Sequence, residues 1–204
     1  ASCWRASDGS STTDWPCPKG FRPIPSWRGF TYLQERLASQ GYLTVSLSAN
    51  GGNVMATEMG DDAGAEARSA LVAHHLDRWA SGSVPNLEEW PDIDLGSVML
   101  VGHSRGGEGV DRTVAERPVS AGWTVAGEVL IAPTAFEPAE RSTVPVVALT
   151  GYCDGGVGPG PGQRYVDRPA GPELLRSAIV LDGANHNFFN AEWVPAEATV
   201  PGGY

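Results

Sequence analysis

The sequence predicts an α/β protein, a mainly parallel sheet with helices on both faces. Three observations carry this. The apolar runs "SVMLVG", "VAGEVLIAP", "VPVVALTG" and "SAIVLDG" are continuous, as in strands buried on both faces. Segments of helical periodicity or long loops separate them, the βα alternation of a parallel sheet. A serine set between glycines stands where the first of these runs gives way to a helix, in "VGHSRGGEGV".

The elements follow in order. Residues 1–26 form a Cys- and Pro-rich loop segment with little means of ordering itself. A disulfide between Cys3 and Cys17 would close a loop of about 15 residues and add about 3 kcal/mol in the chain-entropy model. It would imply an oxidising compartment; two free thiols in an intracellular protein are the alternative. "SWRGFTYLQERLASQG" reads as a helix, with Phe30, Leu33 and Leu37 at helical spacing and Gly41 as its stop. "YLTVSLS", Tyr42 to Ser48, reads as a short strand. "AGAEARSALVAHHLDRWA" is a second helix, with Ala67, Leu71, His74 and Arg78 along one line. After the "SVMLVG" strand, "RGGEGVDRTVAER" opens a helix at once. "GGVGPGPG", Gly155 to Gly162, reads as a mobile loop that is neither helix nor strand. Cys153, left over, reads as a small buried thiol.

A chain of 204 residues can bury a core as one domain, 1–204. Its net charge of −10 argues against nucleic acid and anionic membranes as partners, and reads as solubility. No apolar run is long enough to span a bilayer, and no basic, apolar signal peptide stands at Ala1. No internal repeat is visible, and nothing marks an oligomeric state. No metal or other cofactor is expected: the histidines and carboxylates lack ligand spacing, and "GDDAGAE" lacks the alternating ligands of a calcium loop. The seven tryptophans are scattered and read as packing residues.

With 26 glycines in 204 residues, Gly-x-Ser-x-Gly arises by chance too easily to carry weight alone. Its setting carries it. Between a buried strand and a helix, the pattern is a nucleophile elbow: Ser104 sits on a strained turn, Gly102 and Gly106 leave room, and the helix N-terminus favours an oxyanion. A serine nucleophile needs a base, and the base an orienting carboxylate. His103 adjoins Ser104 in the turn and cannot easily fold back onto it. His74 and His75 lie mid-helix. His186 follows the last strand in the turn-rich "GANHNFFN" and is the candidate base. Asp154, just after "VPVVALTGYC", is the candidate acid. Asp182 is too close along the chain to His186, and Asp167 lies in the loop beyond.

The stretches "VGHSRGGEGV", "YCDG" and "GANHNFFN", with "RLASQGYLTVSLSANG" in support, resemble the α/β-hydrolases. The likeness is greatest to the secreted actinobacterial esterase/lipase-like branch near the cutinases and dienelactone hydrolases. It covers the chain from about Trp27. It implies Ser104 as nucleophile, His186 as base, Asp154 as acid and the Arg105 backbone N–H as an oxyanion donor. The expected protein is a secreted serine ester hydrolase acting on a small or polymeric ester. Peptidases and thioesterases use the same three residues, and a non-catalytic binding protein on a hydrolase scaffold is the contrasting reading. In such proteins a further strand, closing on His-Gly, lies between the "YLTVSLS" and "SVMLV" strands. Nothing of that kind precedes Trp27. The expectation is an N-terminally incomplete piece of a longer protein, a fold lacking its N-terminal strands, or else a compact variant in which those two strands pair directly.

Overall fold

Each later apolar run finds a parallel partner. The computed structural model describes residues 2–54, 62–86, 93–116, 119–120, 122–140 and 143–193. Strands β4 (Val98–His103), β6 (Trp123–Ile131), β7 (Val146–Gly151) and β8 (Arg176–Leu181) form a parallel sheet in the order β4-β6-β7-β8. The short β5 (Val119–Ser120) turns back antiparallel onto the start of β6. The helices are α1 (Thr31–Ala38), α2 (Ala65–Ala80), α3 (Arg105–Glu116) and α4 (Gly160–Asp167).

Period-two geometry gives the sheet two unlike faces. Leu100, Leu130, Val146 and Ala148 point to one, where Ala73 of α2, Val110 and Val114 of α3 and Tyr165 of α4 cover them. Leu130 and Val146 are fully buried. Truncating such a leucine costs about 2–5 kcal/mol. Met99, Val101, Val129, Leu149 and Ile179 share the opposite face. There Phe30, at the start of α1, packs with Phe189, Ile131 and Ala132 near the strands' C-terminal ends. Tyr32 of α1 donates to the Phe189 carbonyl at 3.0 Å.

The structure corrects several expectations. Tyr42 to Ser48 form no strand and no ladder; Tyr42 and Val45 are 60% and 52% exposed. The compact variant with direct pairing to β4 is therefore not what forms. Among the described residues β4 and β8 stand at the two edges of the sheet, and neither is buried on both faces: Met99 and Val101 of β4 and Val180 and Leu181 of β8 are exposed. Periodicity cannot tell an edge strand from a central one, because that depends on which neighbour is present. The Gly155–Gly162 stretch is not wholly irregular: its last three residues open α4, with Pro161 in the first turn, where its missing N–H costs nothing. Cys153 is exposed, not buried.

Residues 1–26 carry more order than a loop. β1 (Cys3–Trp4) pairs antiparallel with β2 (Ser11–Thr12) and β3 (Arg22–Pro23). Cys3 and Cys17 form a disulfide that ties this small sheet together. Ser2 and Asn50, both buried, dock it on the next loop: Ser2 Oγ donates to the Asn50 carbonyl at 2.7 Å, and Asn50 Nδ2 to the Ile24 carbonyl at 3.0 Å.

A buried charged cluster lies under the helical face. Arg168, just past α4, pairs with Asp111 of α3 and with Glu128 of β6, the latter at 2.9 Å. Burial pushes the Asp111 carboxyl up, and it pushes Glu128 up to about 8 with help from the neighbouring Asp111 charge. Glu108 accepts from Thr134 Oγ1 and from the Glu137 N–H, both at 2.6 Å, anchoring the segment after β6.

Candidate active site

Ser104 occupies the single residue between β4 and α3, at φ 56°. A non-glycine residue in this left-handed region is strained and must be held. The Ser104 N–H donates to the Ile131 carbonyl at 2.9 Å, and its carbonyl accepts from Gly107 at 2.9 Å. Strand and helix approach so closely here that a Cβ at residue 102 would collide with the backbone of Gly106 and Gly107. Gly106 does not share that role, because a Cβ there meets nothing within 4 Å. The second tight position is Gly107, whose Cβ would lie 2.9 Å from that of Pro133.

The structure brings Ser104, His186 and Asp154 together at the C-terminal edge of the sheet. Asp154 follows β7 and His186 follows β8, so adjacent strands deliver both. His186 Nε2 lies 2.9 Å from Ser104 Oγ, and its Nδ1 lies 2.9 Å from Asp154 Oδ2. The other carboxylate oxygen, Oδ1, accepts the backbone N–H groups of Gly156 at 2.9 Å, Val157 at 2.8 Å and Gly158 at 3.4 Å. Burial alone would raise the Asp154 pKa. The Val157 N–H and the His186 imidazole outweigh it and hold the carboxyl below its usual range. An ionised carboxylate only accepts hydrogen bonds, so His186 must carry its proton on Nδ1. That leaves Nε2 with a lone pair facing the serine hydroxyl.

His103 does not act on Ser104, and its position gives it a different role. It donates from Nε2 to the His186 backbone carbonyl at 2.9 Å. Its ring lies tilted, with its centroid 4.9 Å from that of His186 and 5.4 Å from that of Trp193, and Phe30 and Phe189 close by. Burial, then the nearby His186, pushes its pKa down to about 4, so it stays neutral at neutral pH. Nothing in a sequence marks a histidine whose partner is a backbone carbonyl 83 residues away.

The remaining candidates lie elsewhere. His74 and His75 pack edge-on to each other on α2. Asp167 accepts from Gln163 within α4, and the carboxylate bonded to the His186 ring is Asp154 rather than Asp182. The Arg105 N–H belongs to the first residue of α3 and so has no intrahelical acceptor. Among the described residues no group of three His, Cys, Asp or Glu is placed to hold a metal ion. No helix of the described residues is long and apolar enough to cross a membrane.

No protein-family model matches the sequence, and none of the curated proteins matches it either. Among solved structures, the chain is similar to one described as a hydrolase of the alpha/beta superfamily from Xanthomonas campestris pv. campestris. The two are 14% identical, with a TM-score of 0.50 over 80% of this chain and 84% of that one. A second, an alpha-beta serine hydrolase homologue from Coxiella burnetii, is 18% identical over 79% of this chain and 69% of its own, with a TM-score of 0.47. The first of these likenesses establishes the fold: a parallel sheet with helices, of the α/β-hydrolase type.

Proposed function

We propose that the protein is a serine hydrolase that cleaves carboxylic esters through an acyl-enzyme. The observation that carries this reading is the unbroken chain from Asp154 through His186 to Ser104, both links 2.9 Å, on a strained turn between strand and helix. In this reading His186 Nε2 takes the Ser104 proton as Oγ attacks the ester carbonyl. The carbonyl oxygen becomes an oxyanion, stabilised by the Arg105 N–H at the positive end of α3. His186 then passes the proton to the leaving alcohol. Water, activated by the same imidazole, attacks the acyl-enzyme and returns Ser104. Asp154 holds the imidazole in its Nδ1–H tautomer and stabilises its positive charge. His103 and its aromatic neighbours fix the His186 loop.

Exposed rings on the same loops favour an ester with an apolar portion. Tyr152 precedes Asp154 by two residues and is 67% exposed; Phe188 follows His186 by two and is 63% exposed. The Cys3–Cys17 disulfide supports an exported protein, in line with the secreted esterase/lipase-like branch that the sequence resembles.

Hydrolysis of a 4-nitrophenyl ester, paired with labelling by a fluorophosphonate, tests the reading. The probe should modify Ser104 alone. Ser104→Ala should lose labelling and lower kcat by about 10⁴–10⁶. Wild-type chain that neither labels nor turns over ester would favour a non-catalytic scaffold, and full activity in Ser104→Ala would remove Ser104 as nucleophile.

A further inference from the structure

We propose that Arg105, backed by Arg68 and Asn53, forms a subsite for a carboxylate on the substrate, so that the preferred ester carries a negative charge near its scissile bond. This rests on the serine-hydrolase reading above.

The chain has 24 acidic residues against 14 Lys and Arg, yet beside the candidate nucleophile two arginines converge. Their common partner is neutral: Asn53 Oδ1 accepts from Arg68 Nη2 at 2.9 Å and from Arg105 Nη2 at 3.2 Å. Arg68 is buried and spends its other contacts on the Ala63 and Gly64 carbonyls, at 3.0 and 2.9 Å. Arg105 is half-buried. Among the described residues it has no carboxylate within ion-pair distance and no acceptor besides Asn53 Oδ1. A guanidinium offers five N–H donors, so most of its capacity is unspent.

Three electrostatic effects oppose a cation there. Burial lowers its pKa. Burial, and then the Arg105 charge, brings Arg68 down to about 10. Arg105 also sits at the first position of α3, the end where a helix favours anions. Asp62 and Glu108 offset part of this for Arg68, but no described carboxylate does so for Arg105, and a cation kept in such a place is relieved by an anion.

The position decides which anion. Arg105 directly follows Ser104, with the two Cα atoms about 3.8 Å apart, so its side chain starts from the nucleophile's own turn. That placement suits a carboxylate a few bonds from the carbonyl under attack, as in a half-ester of a short dicarboxylic acid. Arg68 also lines a cavity of about 470 Å³ with Trp15, Ser48, Gly51, Gly52 and Leu71, and Asn53 follows directly after Gly52.

The test compares kcat/KM for two matched esters, 4-nitrophenyl hydrogen succinate and 4-nitrophenyl butyrate, on the full chain. Both develop the same oxyanion, so the ratio of the two cancels any effect at the oxyanion donors. Wild type should prefer the succinate, and the preference should shrink as salt is raised. Arg105→Gln should lower the ratio by about 10–100-fold, the scale of a lost charge-assisted hydrogen bond. Arg105→Lys should recover part of it. A wild type with no preference for the anionic ester overturns the subsite, as does an Arg105→Gln that slows both esters equally. If Ser104 takes the fluorophosphonate while the ratio stays flat, only the subsite falls. If no labelling and no turnover occur, both readings fall together.

Discussion

Replacing Arg168 by Met would leave Asp111 and Glu128 facing each other in the interior without a cation. All three side chains are 6% exposed or less, so solvent cannot substitute for the lost charge. Breaking a buried pair by removing one partner costs about 3–5 kcal/mol, because the other charge remains unpaired. The cost should depend on pH, and its sign follows from the pKa shifts. Both carboxyls have folded-state pKa values above their ordinary ones, with Glu128 at about 8. A group raised in this way favours the folded state fully below its unfolded pKa and loses that contribution as pH rises through the folded value. Arg168→Met should therefore destabilise by about 3–5 kcal/mol at pH 8.5. At pH 5, where Glu128 is protonated and the loss of Arg168 pushes both carboxyls further toward their neutral forms, the loss should shrink toward about 1–2 kcal/mol, the scale of the missing hydrogen bonds. Urea unfolding midpoints at the two pH values, with slopes compared, measure this. Adding Asp111→Asn and Glu128→Gln to Arg168→Met should restore much of the loss at pH 8.5. Equal destabilisation at both pH values would refute the assignment of charge to this cluster.

Three further outcomes are expected. Gly102→Ala should destabilise by about 1–3 kcal/mol through overpacking and distort the Ser104 turn, whereas Gly106→Ala should be neutral or stabilising by up to about 1 kcal/mol; thermal melts of the two variants separate them. Alkylation of the native, non-reduced protein should mark Cys153 alone, with Cys3 and Cys17 recovered as linked peptides by mass spectrometry. His103→Phe keeps an aromatic ring against His186 but removes the donor to its carbonyl, and should lower kcat about 10-fold with KM little changed; His103→Gln, which can still donate, should recover part of it.

Much of the candidate site was legible because its chemistry is local to strand ends. Ser104, Asp154 and His186 each follow a continuous apolar run, and a parallel sheet gathers such ends on one edge. Of the two flanking glycines, residue 102 has the close contact that its pattern implies and residue 106 does not. The sequence shows that a close approach exists but not which neighbour it concerns; here Pro133 crowds Gly107 instead. Tyr42 to Ser48 have the β-branched and aromatic content of a strand, but strand formation needs a ladder partner, and composition cannot supply one. The Arg168 cluster was invisible for a related reason. Glu128 lies in an apolar strand, and its cation sits 40 residues away along the chain. Arg105 was singled out for its backbone, whereas its side chain depends on Asn53, 52 residues earlier.

The two oxygens of Asp154 are not interchangeable, and this fixes what an amide would do in its place. Three N–H groups of the loop Gly156–Gly158 converge on Oδ1. An asparagine at residue 154 must turn its carbonyl oxygen toward them, since an NH₂ there would set donor against three donors. Its amide nitrogen is then aimed at His186 Nδ1. The ring must answer a donor with a lone pair, so its proton moves to Nε2, the atom that faces Ser104. The loop thereby turns a nearly isosteric substitution into a tautomer lock. The imidazole would stay in place, 2.9 Å from the hydroxyl, but it would point a hydrogen at the oxygen from which it should receive one.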